Sequence, residues 1–506
     1  MCELICRIWQ EGCIGMRHID KNQIEEKLQQ SYPMAGRWHN GFHLEMPFGL
    51  INDPNGLAFA GGEYHIFFQW NPLGCEHKNK CWGYTKTQDF VSYSRPVLSM
   101  QPTDAHDKDG CYSGCGFEEN GNVRVLYTCN AKDEAGVRTP AQRLGTLLAD
   151  GTIRKDGIAV EREAAGYTAH FRDPYVFVRD GRRYFVLGAQ NEALQGRAVV
   201  YGENAGTLPE KACAGSGDWE FLGEVRTGYP DFGYMWECPN LLQFAEGDVL
   251  MFCPQGLVAE EFAYQNRYQS GYVAGRLDLG DMEMAHGEFR ELDRGFDFYA
   301  PQVLKKDDRH IMFGWMGMPE DEGFYPSAED GWLYSLTVPR ELTLKDGVIY
   351  QQPVEELAAL RRQDSERQVQ SAGVHEYRSV LPELCEMKLA IHIGTASHVQ
   401  LALIYGEESL VFGYDRRQQV MTIDRSGMKL GARGVRRFRL AADDVLELHL
   451  LVDKLAVEVF FQDGREAASM LVFPEKETVP QLLVKGDDRL GRIEGNIWEL
   501  NPHKYV

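Results

Sequence analysis

The chain has 506 residues, 43% hydrophobic and 25% charged, which is long enough for two or three domains with cores of their own. Its 75 acidic against 53 basic residues give a net charge of −22, and with no basic run this excludes nucleic acid and anionic membrane surfaces as partners. No run approaches the roughly 18 apolar residues of a membrane span.

The first 15 residues carry no secretion signal and do not blend into the residues after them; they read as an upstream extension, with Met16 as the natural start. A charged helical segment comes next over Asp20 to Ser31, and 1–40 is taken as an N-terminal extension with a short helix. From Phe42 to about Glu341 the texture changes. Apolar or aromatic runs such as Val123–Tyr127, Tyr184–Leu187 and His310–Trp315 alternate with Gly, Asp, Asn and Pro clusters. That cadence is all-β, and periodicity alone leaves a barrel, a sandwich or a propeller open. After Pro353, Val354, Leu357 and Leu360 stand three apart and predict a linker helix over 354–365. Strands with one apolar face then predict a β-sandwich over 366–506, with a structural or docking role.

Twelve cysteines are scattered without C-x-x-C or zinc spacing, so reduced thiols in a cytoplasmic setting are expected. Other site signatures fail. Gly110-Cys111-Tyr112-Ser113-Gly114 is misplaced for a nucleophile elbow. The Asp107-Lys108-Asp109-Gly110 run does not keep a calcium-loop register. Gly215-Ser216-Gly217 lacks the third glycine of a dinucleotide loop, and no phosphate-cradling loop is present. Neither a metal nor a cofactor is expected, and no motif sets an oligomeric state.

Three acids stand in unusual frames. Asp53 lies in Asn52-Asp53-Pro54-Asn55-Gly56, where the proline favours an extended backbone and Asn55-Gly56 reads as a hairpin turn. Asp173 lies in Phe171-Arg172-Asp173-Pro174, again before a proline, and the adjacent cation is expected to keep it ionised. Glu237 lies in Trp236-Glu237-Cys238-Pro239, whose apolar flanks are expected to raise its pKa. Singly, each reads as a structural acid. Together, one carboxylate set up for charge and another for holding a proton match the division of labour in glycoside hydrolysis.

The three frames resemble, in order and spacing, the signatures of glycoside hydrolase family 32. The similarity continues through Phe68-Gln69-Trp70-Asn71-Pro72, Tyr112-Ser113-Gly114, Gly295 to Gln302, Gly314-Trp315-Met316-Gly317 and Leu336 to Leu342. The resemblance implies an all-β fold, a five-bladed β-propeller over 41–353 followed by the β-sandwich. It also implies a retaining β-fructofuranosidase, with Asp53 as nucleophile, Glu237 as general acid/base and Asp173 as transition-state stabiliser aided by Arg172. Asn52, Gln69, Trp82, Tyr112, Ser113, Tyr299 and Trp315 match positions lining the fructose subsite. The departures are Leu50-Ile51 before the first signature, where many members carry Trp-Met, and the loop Gly74 to Cys81 before Trp82-Gly83-Tyr84. That loop is similar to the sucrose-6-phosphate hydrolase branch, which makes Lys78 and Lys80 candidate phosphate contacts. Sucrose 6-phosphate or sucrose is the expected substrate. An exo-acting enzyme on short fructo-oligosaccharides, a fructosyltransferase and a non-catalytic sugar-binding propeller remain as alternatives.

Overall fold

The computed structural model describes residues 19–34, 36–204 and 219–506, so the upstream stretch 1–15 and the Gly215-Ser216-Gly217 run lie outside the described residues. Asp20 caps the helix Lys21–Gln30 by accepting from the backbone N–H groups of Asn22 and Gln23. Ile24 and Leu28, four residues apart, form its buried face, and Glu25 ties it to the strand Val97–Met100 through the Leu98 N–H.

Between Gly49 and Pro353 the chain forms five sheets, mostly antiparallel. Their innermost strands are Gly49–Ala60, Cys111–Glu119, Tyr167–Arg179, Met235–Phe244 and Tyr299–Lys306. Each touches the next and the fifth touches the first, so the sheets close into a five-bladed β-propeller. Leu333, late in the chain, pairs in parallel with Leu50 and clasps the last blade region to the first.

All five innermost strands break register at the same height. The shifts fall between Ile51 and Pro54, Cys111 and Gly114, Arg172 and Tyr175, Glu237 and Asn240, and Tyr299 and Gln302. A bulge kinks its strand and re-aims the side chain beside it. Asp173, Cys238 and Ala300, each followed by proline, sit at φ of 68°, 47° and 48°. Pro174 therefore does not hold Asp173 extended as expected, because the bulge geometry overrides the local preference. The Asn55-Gly56 turn is also corrected. These residues lie mid-strand at a second bulge, with Gly56 at φ 56°, and the chain reverses at Gly61-Gly62 instead.

Glu355–Leu360 is a 3₁₀ helix. The three-residue spacing of its buried Leu357 and Leu360 suits three residues per turn better than 3.6. Beyond it, two six-stranded sheets pack face to face as a β-sandwich. Leu389, Leu403, Phe412, Leu450, Val459 and Ile497 are among the residues filling its core.

Charged groups cement the sandwich to the propeller. His43 Nδ1 lies 2.8 Å from Asp453 Oδ2 and its Nε2 2.9 Å from Glu458 Oε1, all three side chains fully buried. Arg340 Nε donates to Glu458 at 2.9 Å and its Nη1 to Asp293 at 3.1 Å. Among the described residues the eight cysteines are all unpaired, and no helix is long and apolar enough to cross a membrane.

Candidate active site

The bulges deliver polar side chains from every blade into one axial cavity of about 600 Å³. Asn52, Asp53, Gln69, Tyr112, Ser113, Arg172, Asp173, Glu237, Tyr299 and Trp315 all line it. Residues far apart in sequence converge because each innermost strand ends its bulge at the axis.

Asp53 is held by a closed ring of hydrogen bonds. Asn52 Nδ2 donates to Asp53 Oδ1 at 2.9 Å and to Gln69 Oε1 at 3.2 Å. Gln69 Nε2 donates to Ser113 Oγ at 3.0 Å, and the Ser113 hydroxyl donates to Asp53 Oδ2. Lys80 Nζ donates to Asn52 Oδ1 at 2.7 Å, orienting the amide so that its nitrogen faces the acid. Burial raises the Asp53 pKa, opposed by the Lys80 charge and the Ser113 and Asn52 hydrogen bonds. Burial also pushes the Lys80 ammonium down to about 7, with the Asp53 charge working against that.

Asp173 accepts from the Cys238 N–H at 3.1 Å, and its own N–H donates to Thr128 Oγ1 at 3.0 Å. Burial raises it to about 7; Arg172 opposes the rise, and the Glu237 and Asp53 charges add to it. Burial thus outweighs the neighbouring arginine expected to keep Asp173 ionised. Arg172 lies 3.9 Å from Asp173 but turns its fork to Glu237, donating to Oε1 from Nε at 3.0 Å and from Nη2 at 2.6 Å. Glu237 Oε2 accepts from Tyr299 Oη at 2.6 Å and from Gln255 Nε2 at 2.7 Å. Of the apolar neighbours that suggested a hydrophobic setting for Glu237, Trp236 points away, since successive strand side chains alternate faces, and Cys238 turns its thiol to Asp173. Trp236 stacks on Phe252 in the core of the fourth blade, 4.1 Å between centroids.

Trp82 does not line the cavity. It is fully buried in the first blade, where its indole N–H donates to the Tyr112 carbonyl at 3.1 Å and so fixes the strand that carries Ser113. Leu50 and Ile51 are likewise wholly buried, and the aromatic wall comes instead from Trp315, on which His77 stacks at 5.7 Å. Both candidate lysines line the cavity; Lys80 is buried, whereas Lys78 is 70% exposed and paired with Glu76 at 3.0 Å.

Sequence reasoning missed Gln255, Thr128, His170, Tyr234 and Tyr268. Gln255 and Thr128 stand on second strands and Tyr268 in a loop, with no signature around them. His170 does carry a signal, since it stands three residues before Asp173 within the same motif; it accepts from Arg172 Nη1 at 2.9 Å.

Comparison with known proteins identifies the family. The model for the glycosyl hydrolases family 32 N-terminal domain matches residues 43–353, and the family 32 C-terminal model matches 356–497. The sucrose-6-phosphate hydrolase of Bacillus subtilis is 39% identical over 90% of this chain and 93% of its own length. Its counterpart from Klebsiella pneumoniae is 36% identical over 89% and 92%. The solved structure of sucrose-6-phosphate hydrolase from Lactobacillus gasseri superposes with a TM-score of 0.84 and 28% identity, covering 97% of this chain and 98% of that one. A β-fructofuranosidase from Bombyx mori shares the fold, with a TM-score of 0.82. On the two family models together and on these relatives, the chain belongs to glycoside hydrolase family 32.

Proposed function

We propose that this enzyme is a retaining β-fructofuranosidase that releases fructose from sucrose 6-phosphate or sucrose inside the cell. The observation that carries the reading is the convergence of Asp53, Asp173 and Glu237, from three separate blades, on one cavity with a distinct set of partners for each. The names of the relatives support this substrate class, and the charge of a phosphorylated sugar, which opposes passage through an apolar membrane, supports the reading inside the cell.

The cavity residues divide the work of two successive displacements. Asp53, with Asn52 and Ser113 holding one oxygen each, attacks the anomeric carbon of the fructosyl unit. Glu237 delivers a proton to the bridging oxygen as the C–O bond breaks, and the glucose half leaves with that proton. Glu237, now a carboxylate with four donors around it, then takes a proton from water, whose oxygen attacks the same carbon and frees Asp53. Asp173 and Arg172 face the fructose hydroxyls, where hydrogen bonds strengthen as charge develops on the ring. Trp315 covers an apolar face of the sugar.

Asp53→Ala is expected to abolish turnover while leaving the circular dichroism spectrum and Tm intact; ordinary turnover would sink the nucleophile assignment. Glu237→Gln should slow sucrose about 10²- to 10⁴-fold, the usual range for a general acid, yet slow an activated aryl fructoside far less at its first step. Equal losses on both would remove Glu237 from the acid role.

A further inference from the structure

The cavity has a second chemical feature at its mouth. Lys132 and Arg138 both line it. They close the hairpin between the strands Asn122–Lys132 and Arg138–Leu147 and stand directly opposite each other in the antiparallel register. Directly opposed strand residues share a face, and two like charges there destabilise the sheet. Among the described residues neither side chain has an ion-pair partner. The nearby acids bond the backbone of this hairpin and pair with neither side chain. Asp133 Oδ1 accepts from the Ala135 and Val137 N–H groups of the hairpin tip, and Asp109 Oδ2 accepts from the Lys132 backbone N–H. In a chain of net charge −22, two cations held side by side on the cavity wall without an ion pair, beside Asp109 on the same wall, are a feature with a local cost.

Their position relative to the chemistry is set by a chain of contacts. Glu237 accepts from Arg172, and Arg172 donates on to His170. The Arg138 charge reaches His170, and its guanidinium lies 5.5 Å above the Tyr112 ring. This wall therefore runs from the group that protonates the leaving sugar outward to the cationic pair. We infer that Lys132 and Arg138 form an anion clamp for a phosphate ester carried on the leaving-group sugar, with Arg138 offering its planar fork and Lys132 a mobile point charge. Lys80, whose ammonium is spent on Asn52 beneath Asp53, serves the fructosyl side instead. This assignment rests on the fructosidase reading above and names what its cavity selects.

The test is a comparison of kcat/KM on sucrose 6-phosphate and on sucrose, for wild type, Lys132→Gln, Arg138→Gln, the double variant and Lys78→Gln. Wild type is expected to favour the phosphorylated sugar. Each single change at the clamp should lower the ratio about tenfold, chiefly through KM, and the double should lower it further, in line with the loss of charge-assisted hydrogen bonds. The wild-type preference should also weaken with added salt, and the double variant should show a higher Tm because the opposed charges are gone. A ratio that survives the double variant, or one that collapses only with Lys78→Gln, would overturn the clamp. Failure of wild type to cleave either sugar would instead overturn the fructosidase reading itself, so the two are separable.

Discussion

At the scale of single residues, the acids of this site are defined less by their neighbours in sequence than by what crosses the cavity to meet them. The Asp53 charge acts on Asp173 and the Glu237 charge acts on both aspartates, so the protons of Asp53 and Asp173 are coupled. The acidic limb of the kcat/KM profile is therefore expected above the ordinary carboxylate value of about 4. Lys80→Met, which removes the charge opposing the rise at Asp53, should move that limb higher still; a shift downward would contradict the geometry. The same shift bears on stability. Asp173 goes from 3.8 to about 7 on folding, so the native state holds this proton more tightly than the unfolded chain. Stability is then present at low pH and is lost as pH rises through that window. Asp173→Asn removes the loss and should raise Tm at about pH 8, by on the order of 1 kcal/mol or more in stability, with the gain fading near pH 4. An inactive but more stable variant is the expected sign of a site strained for function.

At the scale of elements, the repeated bulge is what turns five plain strands into a site. The first two innermost strands meet where side chains vanish. A Cβ on Gly116 in the second blade would lie 2.2 Å from the Gly56 carbonyl oxygen of the first, against backbone that has no room to move. Gly116→Ala is expected to cost about 1–3 kcal/mol, as overpacking does, and to lower kcat with it, because Asp53 and Ser113 ride on the two strands it forces apart. Gly121, at a hairpin tip with open space around it and φ of 80°, provides the control. Gly121→Ala should cost only the left-handed backbone penalty of about 1–2 kcal/mol and leave kcat alone. Thermal melts of the two variants beside their turnover numbers decide the point. The short element after Pro353 teaches a related lesson: apolar residues three apart were legible, but whether they wind as α or 3₁₀ was settled by the leucines' fit against the core.

At the scale of the whole molecule, the sandwich is bound to the propeller by buried charge. Burial disfavours a charged His43, yet hydrogen bonds to Asp453 and Glu458 outweigh it and raise the imidazolium from 6.5 to about 9. That contribution is complete below pH 6.5 and is lost as pH climbs to about 9, a change on the order of 3 kcal/mol. Wild type should lose Tm across this window, and His43→Gln should start lower and show a flatter profile; an equally steep fall in the variant would assign the loss to other groups. Glu458→Ala should be more severe, about 3–5 kcal/mol, since it leaves Arg340 buried with one of its two carboxylate partners.

Much of this was legible along the chain. Strand texture marked the all-β class, and the three acid frames with Arg172, together with Tyr299 and Trp315 from the family resemblance, named residues that line one cavity. The opening acid frame shows where one dimension stops. Asn55-Gly56 has the composition of a hairpin turn, yet it lies inside a strand, because the bulge that Asp53 needs uses the same permissive residues. Trp82 carries a motif and still faces the core, while Gln255, Lys132 and Arg138 carry none and face the cavity. Residue type and spacing determined which chemistry the chain holds. Which carboxylate meets the arginine, and which cations stand at the mouth, only the closing of five blades around one axis decided, since those contacts span tens to hundreds of residues and leave no periodic trace.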